Sequence, residues 1–403
     1  MLSLRSIALA TFLVPITPPE WAQLPSPQKL QAEDEREFNK ELERLRTLLA
    51  TANDKGAIQL QIAKTYAAGG QYPEALRRLR QVVDAGLGFD PSRDPDFVPL
   101  RNTLEFQSIM EEVRRQTPPV LHSRLVATLD ERDLFPENLA FEAKRKTFFL
   151  GSTARDEIVR CSIKGACVAV VKPARGEQGY ALGLKIDTSS AAIWATRNTP
   201  SGASLRRYDL ETGKVEQSAG VDGKHVFNDL TLSSGGFVYV SDTAEGSVYQ
   251  LNIRSNALRR IAPEHPFTAA NGIALSPDEA LLYVSARGDG IDVIDLRSGS
   301  VTPIRHPDHV CLAFIDGLYA TKGSLIAIQN GPMTPRIVEF RLNSGGREIV
   351  EMTTLERRNP LFDGVTTGAL AGQELYYVAN PQIDKKNSGK LNPLQILGVR
   401  IAP

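Results

Sequence analysis

Along the first quarter of the chain, apolar residues recur three and four positions apart, as at Leu42, Leu45, Leu48 and Leu49, which lays a hydrophobic stripe along a helix. This texture runs from Gln28 to about Arg115. Within it, a helical pair over Ile58 to Ala68 and Tyr72 to Ala85 is broken at Gly69-Gly70 and closed by Gly86. Thr117-Pro118-Pro119 ends it, because prolines stop the preceding helix and stiffen the connection. Beyond that point the pattern becomes short strands punctuated by Gly, Asn and Asp. One unit reads Gly272 to Leu275, a turn at Ser276-Pro277-Asp278-Glu279, Leu281 to Ala286, a turn at Arg287-Gly288-Asp289-Gly290, Ile291 to Asp295, a turn at Arg297-Ser298-Gly299, and Val301 to Ile304.

The unit repeats. Glu137-Asn138-Leu139-Ala140-Phe141, Asn228-Asp229-Leu230-Thr231-Leu232, Asn271-Gly272-Ile273-Ala274-Leu275 and Asp316-Gly317-Leu318-Tyr319-Ala320 are similar phrases, with a weaker copy at Leu182-Gly183-Leu184-Lys185-Ile186. Their spacings are 45, 46, 43 and 45 residues, and a fixed period of that size with several strands per unit is the signature of a β-propeller. Units beginning near Phe135, Gly179, His225, Phe267, Val310 and Leu361 make six blades. The last is short and the strand Ser123 to Leu129 is left over, so pairing that strand into the final blade closes the ring and removes its edges. The expected class is mainly β: a six-bladed propeller over residues 121–403, a linker at 117–120, and a small α-helical domain over 23–116.

Within the helical part, Ala63-x-x-Tyr66, Gly70, Tyr72 and Ala75 resemble a single tetratricopeptide repeat. One repeat cannot bury its own face, so it must lean on the first helix, on Phe97 to Val113, or on the propeller. A partner-binding groove for another protein is one reading. A cap or spacer is the one we favour, since solenoid surfaces need three or more repeats.

Composition narrows the function. Acidic and basic residues number 47 each, without a long basic run, and nothing asks for nucleic acid. Residues 1–22 read as a secretory signal peptide, with Arg5 before the apolar stretch Ile7 to Ile16 and Ala22 at the cut; this implies a periplasmic or extracellular protein. No later segment is apolar enough for a membrane helix. Of the three cysteines, Cys161 and Cys167 flank a hairpin tip and can pair only if the intervening loop holds an odd number of residues; Cys311 reads as a small buried hydrophobe.

The residue that opens an inner propeller strand lies near one mouth of the central channel, so Glu137, Asn228, Asn271 and Asp316 should meet near the axis. Two carboxylates and two amide oxygens suit Ca²⁺, Mg²⁺ or Mn²⁺ better than Zn²⁺, and an incomplete protein ligand set leaves room for Lewis-acid chemistry. Taken singly, an Asn or Asp before Gly reads as an Asx turn. Glu137 gains little from turn geometry, and the four-way register is the stronger signal. His225, His265 and His309 lie on or near loops at the same mouth, and each alone reads as an ordinary loop histidine.

Pro136-Glu137, Phe227-Asn228-Asp229, Ala270-Asn271-Gly272-Ile273-Ala274-Leu275-Ser276-Pro277-Asp278 and Ile315-Asp316-Gly317 together resemble the senescence marker protein, gluconolactonase and luciferin-regenerating-enzyme group of six-bladed propellers, over roughly residues 121–403. The resemblance implies a divalent metal, usually calcium, held at Glu137, Asn271 and Asp316, with Asn228 beside it facing substrate and water. It implies cleavage of lactone rings, the metal polarising the carbonyl and Asp316 acting on water. Val226 stands where members acting on sugar lactones often carry Arg, and Asn138 where Gly is usual. Two other readings remain: a non-catalytic propeller that binds a protein or glycan around a structural metal, and a strictosidine-synthase-like or paraoxonase-like enzyme.

Overall fold

A computed structural model describes residues 35–52, 54–172, 178–262, 266–386 and 389–401. The leader expected over residues 1–22, and His265, lie outside them.

Six four-stranded antiparallel sheets form the β part, one per blade. Their inner strands are Ala140–Glu142, Leu184–Asp187, Phe227–Leu232, Ala270–Leu275, Ile315–Thr321 and Gly368–Ala371. The β-propeller is therefore six-bladed, as the 45-residue period predicts. The sixth sheet has the order Gly368–Ala371, Glu374–Val378, Leu394–Arg400, Arg124–Leu129, so a strand from before the first blade completes the last. Leu125 and Leu129 pair with Leu397 and Leu394 in that clasp.

Blades pack face to face through apolar layers such as Trp194, Leu205, Phe227, Val240 and Tyr249 between blades 2 and 3. Near the axis a polar bond crosses every junction. Asn138 donates to Ala181 O (2.8 Å), Asn198 to Phe227 O (2.9 Å), Ser241 to Asn271 O (2.5 Å), Ser285 to Ile315 O (3.1 Å), Tyr319 to Gly368 O (3.0 Å) and Thr367 to Glu137 O (2.5 Å). The buried amide of Asn138 also receives Gly151 N at 2.6 Å, which gives this departure from glycine a structural purpose. Gly272 and Gly183 permit the close approach: a Cβ on either would lie 2.6 Å from Asp316 O or 2.5 Å from Asn228 O.

Before the clasp come helices α1 (Glu35–Thr51), α2 (Lys55–Ala68), α3 (Tyr72–Asp84) and α4 (Leu104–Gln116). Their shared core includes Leu45, Ala63, Tyr66, Ala75, Leu79, Phe97 and Ile109, and it extends without a break onto Cys311, Ala313 and Met333 of blade 5. The helical pair thus leans on α1, on α4 and on the propeller at once. The connection at 117–120 does not hang free: Val120 pairs with Arg357, and Arg358 donates to Thr117 O at 2.9 Å. Among the described residues, no helix is long and apolar enough to cross a membrane. Cys161 and Cys167 face each other across the hairpin of blade 1 and are disulfide-bonded, with an odd, five-residue loop between them. Cys311 is buried and free.

Candidate metal centre

The entry to the inner strands is irregular where the candidate side chains lie. Ladder register slips between Phe227 and Leu230, between Ala270 and Ile273, and between Ile315 and Gly317, so Asn228, Asn271 and Asp316 each sit in a β-bulge. A bulge bends its strand and re-aims a side chain. Two residues before Glu137, Asn271 and Asp316, the backbone passes through the left-handed region at Phe135 (φ 47°), Ala269 (46°) and Phe314 (59°). None of these is glycine, and each such residue costs roughly 1–3 kcal/mol that the surroundings must offset. Val226, two before Asn228, takes no such conformation. Three of the four residues therefore share one approach path, and Asn228 arrives by another.

Asn271 and Asp316 are in direct contact: Asn271 Nδ2 donates to Asp316 Oδ1 at 2.6 Å. Asn330 Nδ2 donates to the other oxygen, Oδ2, and also to Val365 O at 2.9 Å. These are not Asx turns: Asn271 bonds across to blade 5, and Asp316 bonds to Asn271 and to Asn330 of its own blade, not to its own loop. Asn271 Oδ1 is buried and meets no hydrogen-bond donor. Asn228 makes no hydrogen bond to the other three; its Nδ2 donates to Thr243 Oγ1 at 3.0 Å, and Thr243 Oγ1 donates to Ala270 O at 2.6 Å, beside Asn271.

Glu137 is partly open to the channel yet enclosed by protein. Burial pushes its carboxyl up to about 7, with the charge of Asp316 adding to the effect and Lys386 and Arg287 opposing it. Tyr180 is near enough to Glu137 to feel that charge, and burial first, then Glu137, raises its phenol to about 12. Deeper in the ring, Lys185 Nζ lies 3.5 Å from Asp229 Oδ1 and 5.3 Å from the centre of the Tyr319 ring. Burial raises the Asp229 carboxyl despite that lysine.

The donor set fits a hard divalent cation. An amide oxygen buried without a donor, beside a carboxylate, is an arrangement that a hard cation can satisfy.

Thr243, Asn330 and Tyr180 escaped the sequence reading. Thr243, Arg287 and Asn330 each follow the second strand of their blade, 44 and 43 residues apart, so the same period carried a second register. His225 is tied to Asp242, Nδ1 to Oδ2 at 2.5 Å, and that fully buried carboxylate also accepts Val226 N at 3.0 Å and Ala244 N at 3.1 Å. This is the bonding of a loop brace. His309 is exposed.

No family model and no curated protein matches this sequence. Among solved structures, the major allergen Mala s 1 of Malassezia sympodialis is similar at 15% identity and a TM-score of 0.55, over 69% of this chain and 96% of that one. A luciferin-regenerating enzyme matches at 16% identity and 0.49, over 70% and 95% of the two chains. A gluconolactonase of Xanthomonas campestris matches at 17% and 0.47, over 70% and 94%. At these identities the likeness is one of fold.

Proposed function

We propose that this chain is a metal-dependent hydrolase that opens a lactone or related cyclic ester at the mouth of its propeller. Glu137, Asn271 and Asp316 would hold a divalent cation, Ca²⁺ before Mg²⁺, Mn²⁺ or Zn²⁺, with Asn228 beside it. The observation that carries the reading is Asn271, which gives its amide nitrogen to Asp316 and keeps a buried oxygen without a donor. A cation bound there would supply electrophilic pull on the ring carbonyl oxygen.

The rest of the chemistry belongs to side chains. Asp316 has both oxygens held by amide donors, which fixes its orientation and leaves lone pairs for a water. As Asp316 takes a proton from that water, the water oxygen bonds to the carbonyl carbon. The ring C–O bond then breaks and the proton passes to the departing alkoxide, giving a hydroxy acid. Asn228, anchored through Nδ2 by Thr243, keeps its Oδ1 and second N–H for water or substrate.

Export to the periplasm or outside the cell is part of the proposal. The Cys161–Cys167 disulfide supports it, since such bonds persist in oxidising compartments.

A melting curve after chelation, then with each cation, tests the centre. A cation at about 100 times its Kd adds roughly 2.7 kcal/mol of stability. We expect a rise with one cation that Glu137→Gln and Asp316→Asn both lose, and lactone turnover that Asp316→Asn abolishes in a folded protein. No rise with any cation would remove the metal centre. Cation binding without turnover across a broad lactone panel would leave a binding module.

A further inference from the structure

The residue before α2 serves two parts of the molecule. Asp54 is 3% exposed, and its Oδ1 accepts Gly56 N at 3.1 Å, an ordinary N-cap. Its Oδ2 leaves the helix and accepts Leu312 N at 2.7 Å and Ala313 N at 3.1 Å. Leu312 and Ala313 immediately precede Phe314, the left-handed residue that aims Asp316. The helical segment holds the same loop by other means. Phe89 packs edge-on against Phe314 with ring centres 6.4 Å apart, and Asp90 N donates to Pro332 O at 2.8 Å in the neighbouring loop of the same blade. From the propeller side, Gln329 of blade 5 donates to Cys311 O and Ala313 O at 3.0 and 2.8 Å, and is itself fixed by Arg336.

Blade 1 offers the contrast. There Phe135 is held by the propeller alone: Thr153 Oγ1 donates to Phe135 O at 2.7 Å and Ser152 Oγ to Leu134 O at 2.8 Å. Blade 5 has an internal hold of the same kind, with Phe314 N donating to Arg287 O at 2.8 Å and Phe314 O accepting Asn330 N at 3.2 Å, and it adds the helices to that hold. A strained backbone persists only where its surroundings over-determine it, so removing the outside clamp lets the loop relax and Asp316 turn from its partner.

We propose that the N-terminal helical segment is a positioning device for the centre, and that Asp54 is its positioning residue, fixing the loop that presents Asp316. The inference rests on the proposed metal function. Its readout is chosen to fail separately.

The test uses the full chain with Asp54→Ser. Serine still caps α2, but one short hydroxyl cannot also reach the loop. Arg358→Ala is the control; it cuts the helical segment's ties to blade 5 at Asp90 (2.9 Å) and Thr117 without touching residues 311–315. Calorimetric titration with Ca²⁺ should show Asp54→Ser binding about tenfold more weakly than wild type, part of what the two lost bonds to the loop contribute, and Arg358→Ala within about twofold. Wild-type affinity in Asp54→Ser, or an equal loss in Arg358→Ala, overturns the proposal. If the wild type takes up no Ca²⁺, the metal reading fails, and hydrogen exchange over residues 310–317 decides the clamp. Faster exchange there in Asp54→Ser than in Arg358→Ala sustains it, and equal exchange overturns it.

Discussion

Asn271 and Glu137 show what a single side chain in this ring must tolerate. The Glu137 carboxyl stands at about 7, above its ordinary 4.5, chiefly because it is buried. Between those values the native protein holds a proton that the unfolded chain has released, so Glu137 favours the fold at low pH and that contribution is lost as pH rises through 7. After chelation, the melting temperature should therefore fall between about pH 4.5 and 7, and Glu137→Gln should flatten the slope. A slope unchanged in the variant would place the titration elsewhere. A second prediction concerns Gly272: its alanine variant must fit a Cβ 2.6 Å from Asp316 O, so we expect a loss of about 1–3 kcal/mol in denaturant unfolding and weaker cation binding. That Asn271 and Asp316 meet, with Glu137 near enough to feel the Asp316 charge, was legible in the sequence because a repeat turns a weak local signal into a register. Asn-Gly misled by its turn preference; here the glycine makes room for the next blade. Thr243 and Asn330 were hidden because polar residues at strand ends are common in any β protein.

Among the elements, the strands were easier to read than the helices, since each blade alternates and each turn carries its Gly, Asn or Asp. Helical patterning located α2 and α3 well, yet it ran the helical texture to about Arg115 without marking a break near Phe97. The chain instead takes a short 3₁₀ turn at Pro95–Leu100 before α4 begins at Leu104, with Pro99 inside that turn. Proline cannot donate to a continuing α-helix, which accounts for the break. What no periodicity reveals is that a helix cap reaches another part of the chain, because Asp54 and Leu312 are 258 positions apart. The hairpin of blade 1 bears its own prediction. Its disulfide closes a small loop and Cys161 lies in a core that also holds Phe148, Leu150 and Ile396. Reduction should cost about 2 kcal/mol and lower the melting temperature without unfolding the protein. Collapse of the fold on reduction would mean that the blade depends on the bond far more than its loop length implies.

At the scale of the molecule, six junction bonds and one clasp make the ring a closed circuit. Thr367, which ties blade 6 to Glu137, belongs to both the closure and the centre. Removing residues 394–401 would leave Arg124–Leu129 and Glu374–Val378 without their shared partner. We expect such a chain to lose its cooperative calorimetric transition and to elute as aggregates, because exposed edges recruit one another; a monomer with a sharp transition would refute the circuit. The clasp also sets a schedule. Thr128 and Gln395, bonded at 3.1 Å, are 267 positions apart, so nearly the whole propeller is synthesised before the first strand can find its mate. Throughout that interval α1 to α4 can assemble, but Cys311, Ala313 and Met333, which complete their core, have yet to emerge for most of it. A chain that emerges in sequence order thus carries an unpaired strand and a half-covered helical face until blades 5 and 6 have followed. In any compartment the ring cannot shut until its last blade is available.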